Sequence, residues 1–125
     1  MHNEYFRSMA FQVAKVNGEQ VMIDQILEEI RAECQRQKNK FGEQNHRMVA
    51  LDHYADQYRA MAQSVKKYND KLTASEERKI AWDSILLEEV WEALGETEPE
   101  KQRKEMIQVA AVAVAIVECL ERKNQ

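Results

Sequence analysis

Two short stretches carry the residues best suited to chemistry. EEVWE (88–92) places Glu88, Glu89 and Glu92 within one helical turn and a step, and EMIQ (105–108) follows after twelve residues with Glu105 and Gln108. Carboxylates at i and i+4 share a helix face, and like charges there cost roughly 0.2–0.5 kcal/mol even when solvated. Burying them unpaired costs far more, or else they take up protons. Residues 80–94 hold four acids (Asp83, Glu88, Glu89, Glu92) and no base, and residues 105–120 hold Glu105 and Glu118 and again no base. Elsewhere the chain mixes signs freely, as in EEIRAECQRQKNK. A charge from outside the chain would balance this asymmetry. Mg²⁺ suits it, with Mn²⁺ as a substitute, because a hard cation takes carboxylate oxygens, keeps several waters and bridges to phosphates. The competing reading is that glutamate is a good helix former on a solvated face.

The elements that must position these acids are helices. The 125 residues include only three glycines and one proline, and the composition favours helix throughout. The length fits one core. Residues 1–20 read as an arm or short accessory helix, and residues 21–123 as the helical domain. Asp24 is the expected N-cap of a first long helix whose apolar positions are Ile23, Ile26, Leu27, Ile30 and Cys34. That helix should fade near Lys40, before the loop FGEQNH (41–46). Leu51, Tyr54, Tyr58, Met61, Val65 and Tyr68 recur at three- and four-residue steps and predict the seam of a second helix, broken at YNDKLTASEE. Thr73 with Glu76 predicts a capping box for a third helix, with Gly95 as its C′ residue. Thr97 with Glu100 and Pro99 predict the start of a fourth, which runs to about Arg122. The expected fold is an all-α four-helix bundle.

On a helical wheel, Ile80, Ser84, Leu87, Trp91 and Leu94 form one stripe of the third helix. Glu88 and Glu92 lie beside it, and Glu89 points further round. Ile85, Leu86 and Val90 leave little polar surface, so the glutamates are expected to be partly buried.

Net charge is −4, with 18 basic and 22 acidic residues, which implies no general affinity for nucleic-acid polymers or anionic membranes. The longest apolar run, VAAVAVAIV (109–117), is too short to span a bilayer. Cys34 and Cys119 share no metal-ligand spacing and read as small buried apolar residues of a reduced, cytoplasmic protein. His2, His46 and His53 form no zinc pattern.

EEVWE, twelve residues, then EMIQ resembles the MazG-like all-α nucleotide pyrophosphohydrolases, which carry EExxE on one helix and ExxD on the next. FGEQNH followed by SILLEEVWEALGETEPEKQRKEMIQVAAVAVAIVE is similar to a small bacterial and phage branch of that family, and the resemblance covers about residues 26–122. It implies Mg²⁺-dependent cleavage of a nucleoside triphosphate to the monophosphate and pyrophosphate. Glu88, Glu92 and Glu105 would be direct ligands, and Glu89 would bind metal or orient the attacking water. Glu89 and Glu92 are thus the catalytic candidates. Gln108 stands where the family has aspartate, and it can coordinate but brings no charge and no base. Glu33 is then a candidate to share the load. The alternative is a weakened or inactive relative that binds nucleotide or metal, or serves as an interaction module.

Candidate substrate contacts are Asn45 and His46, for a base edge or sugar, and Lys101, Arg103 and Lys104, for phosphate. Each has a structural alternative: an ordinary loop for the first two, a solvated first turn for the others. Lys79 is a weaker phosphate candidate; Trp82 and Trp91 are candidates to stack on a base, but Trp91 lies on the apolar stripe and is expected in the core. The small side chains of AAVAVA (110–115) permit close helix approach, and the resemblance implies a homodimer or homotetramer.

Overall fold

A computed structural model describes residues 13–48, 54–75 and 80–123. All of the regular structure among them is α-helical, with no strand. The helices are α1 (Val13–Phe41), α2 (Tyr54–Ala74), α3 (Trp82–Gly95) and α4 (Pro99–Lys123). None of them is long and apolar enough to cross a membrane. Residues 1–12, Leu51, His53, Glu76 and Lys79 lie outside the described residues.

The chain divides into two compact units, Met1–Gln44 with Val117–Gln125, and Asn45–Ile116. In the first, α1 begins well before the expected cap, so residues 13–20 continue directly into the helix and Asp24 lies inside it. Asp24 accepts a hydrogen bond from Gln20 Nε2 at 3.2 Å, one turn back, instead of capping. The predicted end holds. Gly42 takes φ +70°, and its N–H donates to Lys38 O at 2.8 Å, closing the helix with a left-handed residue that glycine adopts without strain. Ile26 is buried, whereas Leu27, Ile30 and Cys34 are exposed, so the expected apolar stripe is only partly covered.

The second unit contains every residue of the acidic motifs. Its main packing is α2 against α3. The α2 face that packs is Ala55, Tyr58, Ala62, Val65, Asn69 and Leu72, buried or half-buried at alternating three- and four-residue steps. Tyr58 and Val65 fall on the expected seam, but Tyr54, Met61 and Tyr68 are exposed, so the true seam is rotated by about one residue. The reason is size, since small side chains on both helices set a close approach. On α3 the buried residues are Ser84, Glu89, Ala93 and Gly95, while Leu87 of the expected stripe is exposed. Tyr58 stacks on Trp91 with ring centroids 5.5 Å apart, which gives Trp91 a packing role.

Three local expectations are corrected. YNDKLTASEE does not break α2 at its start, because the helix runs through Ala74 and Thr73 Oγ1 donates back to Asn69 O at 2.9 Å. Gly95 is the last helical residue and not a left-handed C′, and Arg59 Nη1 donates to its carbonyl at 2.9 Å, satisfying the helix end from α2. The turn into α4 is held by Glu96, whose Oε1 accepts from the N–H groups of Thr97 (3.1 Å) and Glu98 (3.0 Å). Gln102 Nε2 reinforces it with bonds to Ala93 O and Glu96 O at 3.1 and 3.0 Å.

Candidate functional site

Glu88, Glu89 and Glu92 stand on α3 and Glu105 in the second turn of α4. The α2–α3 packing decides how deeply each sits. Glu89, expected further round the helix than Glu88 and Glu92 and partly buried with them, is the most buried of the four at 7 % exposed. Glu88, Glu92 and Glu105 are half-buried.

Asn69 of α2 fixes Glu88. It is 4 % exposed, and its Nδ2 donates both to Ser84 O at 3.1 Å and to Glu88 Oε1 at 3.2 Å. Turning the amide over would set its oxygen against two acceptors, so the hydrogen-bond network dictates this orientation. Asn69 Oδ1 is buried and has no hydrogen-bond partner among the described residues. The same is true of Glu105 Oε2.

The electrostatics bring the four acids together. Glu92 is pushed up to about 7, first by burial and then by the charges of Glu89, Glu88 and Glu105, with Lys66 pulling the other way. Glu105 is also raised, by burial, Glu96 and Glu89 in that order. Among the described residues, the carboxylates around Glu92 therefore act on it more strongly than the Lys66 ammonium does.

A cleft of about 230 Å³ adjoins the cluster, lined by Arg59, Ala62, Gln63, Lys66, Glu92, Gly95, Glu96 and Glu105. Two of the acids named from sequence, Glu92 and Glu105, thus share one cleft. Gln108 does not line it and is exposed on α4. Lys101, Arg103 and Lys104 are exposed outside its lining, and Lys101 pairs with Glu98 at 3.4 Å. Asn45 and His46 are exposed in the loop after α1 and do not line it either. Glu33 is engaged on α1 by Arg36 and Gln37, which hold its carboxyl down at about 2.

Among the described residues no three His, Cys, Asp or Glu side chains stand close enough together to hold a metal ion as they are. Like charges favour rotamers that part such carboxylates, so a chelating arrangement requires side-chain rotation. Sequence reading missed Asn69, Arg59, Gln63 and Lys66. Arg59, Gln63 and Lys66 repeat at i, i+4 and i+7, a single face of α2, and that spacing was the available signal.

No family model, curated protein or solved structure matches this chain.

Proposed function

We propose that the chain is a Mg²⁺-dependent nucleoside triphosphate pyrophosphohydrolase of MazG-like type, converting an NTP or dNTP to the monophosphate and pyrophosphate. The observation that carries this reading is the cleft that Glu92 and Glu105 line together, where burial and three neighbouring carboxylates push Glu92 up to about 7. A folded chain that keeps four acids so placed gains from a cation there. The donor set fits Mg²⁺, being made of hard carboxylate oxygens, and Glu105 Oε2 is buried with no hydrogen bond among the described residues.

Glu88, Glu92 and Glu105 would hold the ion, with Glu89 beside them. Bound magnesium supplies charge neutralisation for the polyphosphate and a more acidic water. The chain's own contribution is placement. Asn69 holds Oε1 of Glu88. In this reading Glu92, in the cleft lining, would orient a water and accept its proton as it attacks the α-phosphorus, and Glu89, buried outside that lining, would act beside it. The α–β anhydride bond breaks and pyrophosphate leaves. Glu96 and Gln102 keep α4, and with it Glu105, at the edge of the cleft.

A second reading, a nucleotide- or metal-binding relative with weak or no turnover, draws support from Gln108. It brings no charge and is exposed outside the cleft lining. A homodimer or homotetramer is part of the proposal, since α4 has no buried residue and leaves Met106, Ile107, Val117 and Leu120 exposed.

Pyrophosphate release across a panel of standard and modified nucleotides, with and without Mg²⁺, separates these readings. Metal-dependent release from at least one triphosphate is expected. Absent release from every nucleotide, with retained metal–nucleotide binding, would select the second reading. Gln108→Asp is expected to raise the rate where Gln108 limits turnover.

A further inference from the structure

The cleft has two chemically different walls. α3, α4 and the turn between them present Glu92, Glu105 and Glu96, while α2 presents Arg59, Gln63 and Lys66. On the α2 wall the two cations differ in how they are engaged. Arg59 is anchored, with Nη2 on Asp56 Oδ1 at 2.6 Å and Nη1 on Gly95 O at 2.9 Å. Lys66 is exposed and has no ion-pair partner within 4 Å among the described residues, although its charge is felt by Glu92 across the cleft. A lysine beside surplus carboxylates that makes no contact with them is available to a third party. That party must be anionic to use the ammonium, and must bring cations of its own to approach Glu92 and Glu105. A metal-complexed polyphosphate meets both conditions. The cleft, at about 230 Å³, is open enough to admit a phosphate chain.

We propose that Lys66, with Gln63 one turn before it on α2, is the polyphosphate contact of this cleft, and that it reads the terminal phosphates of a nucleoside triphosphate. This rests on the metal-cluster reading above and places the phosphate contact on α2 instead of at Lys101, Arg103 and Lys104. The ammonium donates to phosphate oxygens as a point charge, and the Gln63 amide adds a neutral donor. Arg59 acts through its anchors, holding the end of α3 against α2 and so setting the width between the walls.

Calorimetric titration of the full chain with α,β-methylene-ATP in saturating Mg²⁺ tests this, alongside the matching di- and monophosphates. A lost charge-assisted phosphate contact corresponds to a roughly 10–100-fold weaker Kd. Lys66→Ala is expected to lose that factor for the triphosphate and much less for the monophosphate. Lys66→Arg should recover most of it, Lys71→Ala on the same helix should match wild type, and Mg²⁺ binding without nucleotide should survive in Lys66→Ala. Unchanged triphosphate affinity in Lys66→Ala would overturn the assignment, as would an equal loss for all three nucleotides. Wild-type chain that binds Mg²⁺ but no triphosphate overturns this inference alone, whereas wild-type chain that binds no Mg²⁺ overturns the metal-cluster reading beneath it.

Discussion

Glu92→Gln is expected to abolish metal-dependent pyrophosphate release while making the metal-free protein more stable at pH 8. Both halves follow from one side chain. The carboxylate lies among Glu88, Glu89 and Glu105 and is pushed up to about 7 from its ordinary 4.5. Between those values the folded protein keeps a proton that the unfolded chain has released. Metal-free stability is therefore greatest below about pH 4.5 with respect to this group, and falls as pH rises through 7. Glutamine keeps the shape and removes the charge. Because the group is partly solvated, screening reduces the gain at pH 8 to about 1–2 kcal/mol, and the gain should vanish toward pH 4. Turnover should fall roughly 10²–10⁴-fold, the range for removing a positioned proton acceptor. Urea unfolding at the two pH values, paired with the release assay, reads both effects. A variant less stable than wild type at pH 8 would mean that Glu92 is satisfied by the fold and holds no surplus charge.

The second large effect concerns Gly95. A Cβ built there would lie 2.8 Å from Arg59 Cγ and 3.1 Å from Arg59 N, the latter a backbone atom that cannot move aside cheaply. Overpacking of this kind costs about 1–3 kcal/mol. Gly95→Ala offsets part of that through helix propensity, worth up to roughly 1 kcal/mol, so a net loss of about 1–2 kcal/mol is expected. Gly95→Val, with two further methyl groups, should exceed it. Gly95→Asn separates close approach from backbone conformation. A left-handed C′ position tolerates asparagine, but this site should not, because the obstacle is the Arg59 backbone. Since both residues line the cleft, the variants should also lose nucleotide affinity. Denaturation midpoints equal to wild type for all three would show that α2 and α3 do not approach as closely as described.

Periodicity made the helices legible, because apolar residues at three- and four-residue steps have no other economical arrangement. The stretches carrying the acids are helical as expected, but α3 starts at Trp82 after an Ala81 cap and not at the Thr73 capping box, since Thr73 lies inside α2. Gly42 marked the end of α1 through its conformational freedom. The α2 seam was misread for a physical reason. Tyr54, Met61 and Tyr68 are the larger apolar residues, but Ala55 and Ala62 make the contact, since close helix approach excludes bulk. The same closeness buries Glu89 and leaves Leu87 exposed. Caps were misread where side chains reach across helices. Gln102 bonds to two carbonyls of the preceding turn, and Arg59 reaches the carbonyl of Gly95 from 36 residues away, which no local pattern encodes.

The candidate site divides in the same manner. Its acids were legible because a helix without bases is electrostatically conspicuous. Asn69 was hidden inside YNDK, which reads as a helix breaker until the burial of its amide is known. Lys66 and Arg59 were hidden in a helix of mixed charge, where each has the appearance of a solvated residue. Only the pairing of α2 with α3 makes them line one cleft with Glu92.

A calorimetric titration of the nucleotide-free chain with Mg²⁺ at pH 7.5, repeated with Glu92→Gln, tests most directly whether these carboxylates form a cation site. Saturable binding with proton release, weakened at least roughly tenfold in the variant, is the predicted result. No saturable Mg²⁺ or Mn²⁺ binding by the wild-type chain, or equal binding by Glu92→Gln, would contradict it.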